Sequence, residues 1–179
     1  DKLYFGRQSR DLHRYDVCLA DTATGEAKVL IEEVLNTYID VQPLRLVNGG
    51  KEMLWWSERD GWGHYYLYDG DGKLKNQITS GEYVTQGIVG VDEKLRLLYF
   101  NACGREANED PYYTHLYRVN FDATGLKLLN PGDASHSADM DDSSKYVIDN
   151  FSRVDTAPKS QLRDATGNLL LDLETTDVS

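Results

Sequence analysis

Four segments of this chain share one layout: a strand, a polar turn ending in glycine, and a second apolar strand. This repetition restricts the fold more than any single residue does. The segments are Tyr15–Gly25, Tyr66–Gly72, His115–Gly125 and Gln161–Gly167, and their closing glycines fall 47, 53 and 42 residues apart. Apolar strands follow each glycine, at 27–31, 74–78, 126–129 and 169–173. Glycine reaches positive φ without a steric penalty, so a polar Asp/Thr/Gly turn between two apolar runs reads as a tight antiparallel hairpin.

A further strand that reads as more buried precedes each hairpin: Leu3-Tyr4-Phe5, Met53-Leu54-Trp55-Trp56, Leu97-Leu98-Tyr99-Phe100 and Tyr146-Val147-Ile148. Turn signals at 47–51, 91–94 and 140–145 stand before the later three and imply a first strand ahead of them. Four short strands in about 45 residues is the period of a propeller blade. A β-sandwich also has many short strands, but it does not call for four hairpins at a near-constant period. The expected fold is all-β: a β-propeller fragment of about four blades, each a four-stranded antiparallel sheet, with blades at 1–40, 41–86, 87–133 and 134–179. An open arc of blades leaves an apolar sheet face at each end, so further blades or a second copy of the chain, a homodimer, are expected to cover them.

Composition agrees and narrows the function. Tyr (12 residues) far outnumbers Phe (4), which suits strands carrying polar-tipped aromatics. A net charge of −11 lacks the clustered Lys and Arg that phosphate neutralisation requires, so nucleic acid is not an expected partner. No run of about 18 apolar residues is present, so no membrane-spanning helix is expected. Cys18 and Cys103, the two cysteines, are too few for a disulfide scaffold or a four-cysteine zinc site and read as separate buried thiols. The chain opens at Asp1 inside strand-like sequence, so targeting information is expected to lie elsewhere.

Several motifs invite chemistry and are better read as turns. Ser57, Asp60 and His64 have the residue types of a catalytic triad, but a strand end followed by an Asp-Gly turn does not aim all three at one centre. Asp69–Gly72 has acidic spacing but lacks the downstream acidic ligand of a calcium loop, and Asp139–Ser144 has Ser144 and Asn150 where that loop's glycine and glutamate belong. His13, His64, His115 and His136 are scattered, with no metal spacing, while His64 and His115 recur just before a Leu-Tyr strand. Asn150-Phe151-Ser152 matches a glycosylation triplet but is expected to carry no sugar. No catalytic residue, metal site or cofactor is expected.

Two loops remain as candidates for contact with another domain or a substrate cavity. Arg59, Asp60 and Trp62 form one hairpin tip, which either closes two strands or faces a partner. Arg105 and Glu106 lie in the polar insertion 104–111, which is either a solvated loop or a contact surface.

The stretch Trp55-Trp56-Ser57-Glu58-Arg59-Asp60-Gly61-Trp62-Gly63-His64-Tyr65-Tyr66-Leu67-Tyr68, with 110–117, 151–158 and 162–167, closely resembles the later propeller blades of bacterial dipeptidyl peptidase IV-like members of the prolyl oligopeptidase family. The resemblance implies serine peptidases that remove N-terminal dipeptides after Pro or Ala, with an eight-bladed propeller gating an α/β-hydrolase domain. The Gly-x-Ser-x-Gly elbow of that chemistry is absent from this sequence, so the hydrolase domain is expected to be missing and the chain itself to be no enzyme. Glu32-Glu33 does not correspond to the family's amine-gripping acidic pair, which belongs to earlier blades. The expected partners are the hydrolase domain, the other blades and, through the full enzyme, a peptide substrate, in an exported or periplasmic bacterial setting. The alternative is a stand-alone propeller-type protein-binding module.

Overall fold

A computed structural model describes residues 1–177; positions 178 and 179 of the fourth expected blade lie outside the described residues. The fold is all-β, a β-propeller fragment of four antiparallel sheets taken in chain order. Sheet 1 contains β1 (Lys2–Gln8), β2 (Arg14–Asp21) and β3 (Ala27–Val34). Sheet 2 contains β4 (Arg45–Val47), β5 (Glu52–Ser57), β6 (His64–Asp69) and β7 (Leu74–Gln77). Sheet 3 contains β8 (Val84–Asp92), β9 (Leu97–Cys103), β10 (Thr114–Asn120) and β11 (Lys127–Leu128). Sheet 4 contains β12 (Ser135–Met140), β13 (Tyr146–Arg153), β14 (Thr156–Asp164) and β15 (Leu169–Thr175). Sheets 1 and 2 make one compact unit, 1–77, and sheets 3 and 4 a second, 78–179.

Sheet 1 has three strands rather than four, and this changes the expected burial of Leu3-Tyr4-Phe5. In sheets 2 and 3 the corresponding strand lies second, flanked on both sides, and β5 is buried along its whole length. In sheet 1 it is the edge strand β1, where Leu3 is 56% and Phe5 39% exposed.

Each unit is held together by apolar residues of facing sheets. Val17 and Leu19 of β2 and Leu30 and Ile31 of β3 pack with Met53 and Trp55 of β5 and Tyr66 and Tyr68 of β6. Tyr15 stacks on Trp55 with ring centroids 5.5 Å apart. In the second unit Tyr99, Leu116 and Leu129 pack with Ala138 and Val147.

Glycine sets how closely the sheets approach. Gly25, Gly72, Gly125 and Gly167, the four hairpin glycines, all have positive φ, as the turn chemistry requires. Two of them do more. A Cβ on Gly72 would stand 2.0 Å from the Leu30 carbonyl oxygen of sheet 1, and one on Gly167 would stand 2.8 Å from that of Leu129, which follows β11. Each of these turns therefore lies directly on the outer edge of the preceding blade.

Aspartate closes the β6–β7 turn and also the β12–β13 turn. Asp69 accepts hydrogen bonds from the amides of Asp71 and Lys73, at 3.0 and 2.9 Å. Asp141 accepts from the amides of Ser143, Lys145 and Tyr146. The acidic spacing that resembled calcium loops is thus taken up by backbone donors. The Ser143 hydroxyl, followed by these amides, lowers the Asp141 carboxyl to about 2. Because consecutive strands are antiparallel neighbours, these turns lie at one end of each sheet, and the loops 58–63 and 104–113 lie at the opposite end of theirs.

Gly25 and Gly72 share a turn role but differ in surroundings, since nothing lies within 4 Å of a Cβ at Gly25. Gly25→Ala is expected to cost about 1 kcal/mol from positive φ alone. Gly72→Ala adds a backbone clash and is expected to cost about 3 kcal/mol. Equal losses in urea unfolding would remove the close-approach role.

Candidate functional site

The loop 58–63 joins β5 to β6, and its Arg59 turns inward instead of reaching out. The Arg59 Nε donates to Ser57 Oγ at 2.9 Å, one terminal nitrogen to the Tyr68 hydroxyl at 2.7 Å, and the other to Glu33 Oε2 at 2.6 Å. Its guanidinium covers the Tyr66 ring, 4.4 Å from the centroid. Glu33, on β3, also accepts from Trp55 Nε1 at 3.1 Å and Ser57 Oγ at 2.7 Å. The carboxylate is 4% exposed, so its charge is met by one cation and two neutral donors where water cannot serve. Burial pulls the Arg59 guanidinium down, but the charge of Glu33 and the contact with Tyr68 outweigh it and hold the pKa above the ordinary value.

This cluster also disposes of the triad pattern. The single hydroxyl proton of Ser57 goes to Glu33, while Asp60 accepts from Gln77 Nε2 at 2.6 Å and from the Trp62 amide at 3.2 Å. Ser57 is therefore a structural donor. Of the three tip residues singled out in the sequence, Trp62 presents its side chain to solvent, at 40% exposure, whereas Arg59 binds sheet 1 to sheet 2 and Asp60 fastens the tip to β7.

The insertion 104–113 behaves similarly. Arg105 pairs with Glu106 at 2.8 Å and lies 5.4 Å from the Tyr117 ring centroid, and Glu106 accepts from the Tyr117 hydroxyl at 2.9 Å. Burial, then the bond to Glu106, raises the Tyr117 phenol. Further along, Tyr112 is 85% exposed. The two named residues thus hold the loop onto β10, and Tyr112 is its outward group.

Beneath this loop is a buried polar cluster that the sequence spacing did not bring together. The rings of His115 (β10) and His136 (β12) sit 4.9 Å apart, and His136 stacks on Phe151 at 5.0 Å. Asp149 of β13 faces His136 Nδ1 at 2.9 Å and accepts from Asn130 Nδ2 at 3.0 Å and Arg163 Nε at 3.2 Å. Burial pushes the Asp149 carboxyl up, but the bonds from His136 and Asn130 and the charge of Arg163 outweigh it and leave it below the ordinary carboxylate range. A signal for both clusters was present: Glu33 and Asp149 each continue an apolar alternation, two residues after buried Ile31 and Val147. Among the described residues no group of three or more His, Cys, Asp or Glu is arranged to hold a metal ion. Cys18 is buried, Cys103 half-buried, and both thiols are free.

The model of the dipeptidyl peptidase IV N-terminal region matches residues 1–158. The chain belongs to that family. Dipeptidyl peptidase 4 of Arthroderma otae is 32% identical over 104 residues, covering 57% of this chain and 13% of that protein. The Trichophyton rubrum enzyme of the same name is 32% identical over 91 residues, covering 50% of this chain and 11% of its own length. The chain therefore spans a small part of the relatives it matches. Among solved structures, Porphyromonas gingivalis dipeptidyl peptidase 4 superposes with a TM-score of 0.84 at 22% identity, over 97% of this chain and 24% of that one. A Bacteroides ovatus protein described as a dipeptidyl aminopeptidase IV gives a TM-score of 0.82 at 24% identity, over 97% and 27%. At these identities the structural likeness speaks for the fold.

Within this family's N-terminal region, Arg59 is expected to act as a sheet-to-sheet tie. Arg59→Ala strands a buried carboxylate and is expected to lose roughly 2–3 kcal/mol, below the range for a fully enclosed pair because the guanidinium side chain is 28% exposed. Adding Glu33→Gln should recover part of that loss in a double-mutant cycle. Strictly additive effects would contradict the tie.

Proposed function

We propose that this chain is a non-catalytic propeller segment of a dipeptidyl peptidase IV-like serine peptidase. In this reading it gates substrate access to an α/β-hydrolase domain and docks against that domain. The observation that carries the reading is the family match over 1–158, which names the N-terminal region of a dipeptidyl peptidase. The side-chain chemistry supports it, because the loops that could bear reacting groups spend them on internal bonds: Ser57 on Glu33, Arg59 on Glu33 and Tyr68, and Glu106 on Tyr117.

The docking role falls to the loop-bearing ends of the sheets. There Trp62 extends from sheet 2, and Tyr112 and Val154 extend from the second unit. Loops set on a rigid scaffold are where contact residues are expected, and exposed aromatics favour protein contact. The blade boundaries 1–40, 41–86, 87–133 and 134–179 belong to the same proposal, as do a peptide substrate reached through the full enzyme and an exported setting. Self-association also belongs to it, through β15, whose Leu169, Leu170, Leu171 and Leu173 are 46–55% exposed.

The purified chain is expected to release no chromophore from Ala-Pro or Gly-Pro p-nitroanilide and to take no label from an active-site serine reagent. Release of chromophore together with covalent labelling would overturn the reading.

A further inference from the structure

Sheet 1 has one strand fewer than the other three, and its open edge keeps its capacity to pair. β4, β8 and β12 lie antiparallel beside β5, β9 and β13, while among the described residues no strand lies on the outer side of β1. The Asp1 carbonyl accepts from the Thr22 amide and the Ser9 amide donates to the Arg14 carbonyl, so the odd-numbered residues of β1 pair with β2. Alternation then turns the N–H and C=O of Lys2, Tyr4, Gly6 and Gln8 to the open edge. The register on β2 runs from Lys2 to Gln8 unbroken, and neither a bulge nor a proline blunts this edge.

A cavity of about 240 Å³ opens beside it. Its walls include Tyr4, Gly6 and Tyr15 of sheet 1 and Leu44, Leu46 and Trp55 on the side of sheet 2. Gly6 has no side chain to fill it, and the Tyr15 hydroxyl lies over that position, where a Cβ would stand 1.8 Å away. Residues paired across an antiparallel ladder share a face, so a strand added to β1 points the side chains opposite Tyr4 and Gly6 into the junction with sheet 2. An apolar cavity of roughly 150 Å³ accepts a benzene ring, so this one has room for a single aromatic side chain against Tyr15 and Trp55. β1 also carries Lys2 and Arg7 and no acidic residue, in a chain of net charge −11.

We propose that the open edge of β1 binds an extended peptide segment of another chain, added antiparallel as a fourth strand. From its N-terminus the segment places an acidic residue opposite Arg7, an aromatic one opposite Gly6, a smaller apolar one opposite Tyr4 and a second acidic one opposite Lys2. The backbone of Tyr4 and Gly6 supplies hydrogen bonds that hold any extended chain, and the cavity and the two cations supply the choice of sequence. Arg7 shares buried Asp16 with Arg14, which leaves its exposed guanidinium able to meet a second carboxylate. The site does not depend on the peptidase reading of the chain.

The test titrates the whole chain into the fluorescein-labelled peptide Thr-Glu-Phe-Thr-Val-Thr-Glu-Thr and follows amide exchange by NMR with and without it. Saturable anisotropy is expected, and the amides of Tyr4 and Gly6 should slow to the exchange rates of Leu3 and Phe5, which already bond to β2. Replacing the peptide's Phe with Ala should weaken binding about tenfold or more. Methylating the peptide nitrogens of its Phe and Val removes the donors to Gly6 and Tyr4 and should abolish binding. Lys2→Glu, a change at an exposed side chain, should weaken binding severalfold. Absence of saturable binding, no added protection at Tyr4 and Gly6, undiminished affinity for the Ala or the N-methylated peptide, or tighter binding by Lys2→Glu would each overturn the site. None of these outcomes bears on peptidase activity, so the two readings fail independently.

Discussion

Each of the two units follows from packing one short antiparallel sheet face to face on another. A four-stranded sheet with apolar residues on both faces cannot stay in water alone, and its neighbour is the cover. The approach is close enough that side chains give way to glycine where Gly72 meets Leu30 and Gly167 meets Leu129. The hairpin glycines therefore serve two constraints at once, the left-handed turn and the width of the gap between blades.

Polar groups placed in these junctions must be fully paired, and both units do this around a buried carboxylate. Glu33 gathers Trp55, Ser57 and Arg59 from the next sheet, and Asp149 gathers His136, Asn130 and Arg163. Such networks add little stability over an apolar filling, but breaking one leaves a charge stranded. Side chains that look available in the sequence are thereby already engaged, which fits a scaffold reading better than a catalytic one. Trp62 and Tyr112 of the two candidate loops face outward.

The architecture was largely legible because it depends on period and turn chemistry, both local. The strands 53–56 and 97–100 lie within β5 and β9, and the Asp/Gly turns close the hairpins. Leu3-Tyr4-Phe5 misled because burial depends on strand position, and its place at a sheet edge is a tertiary fact. The candidate loops were found, yet the direction of Arg59 and Arg105 was not, since their partners Glu33, Tyr68 and Tyr117 lie on other strands. The histidine pair was hidden for the same reason: His115 and His136 meet only when sheet 4 packs on sheet 3. Charged residues at apolar positions of an alternating strand, as at Glu33 and Asp149, were the available clue.

The central claim is that a blade is stable through its neighbour, and native-state hydrogen exchange measures this directly. Within residues 1–77, the amides of β2 and β3 and those of β5 and β6 should reach a single common opening free energy as denaturant is raised, because the core they share, from Val17 to Tyr68, opens as one. Exchange of sheet 1 through a separate low-energy opening, with β5 and β6 keeping full protection, would contradict the account.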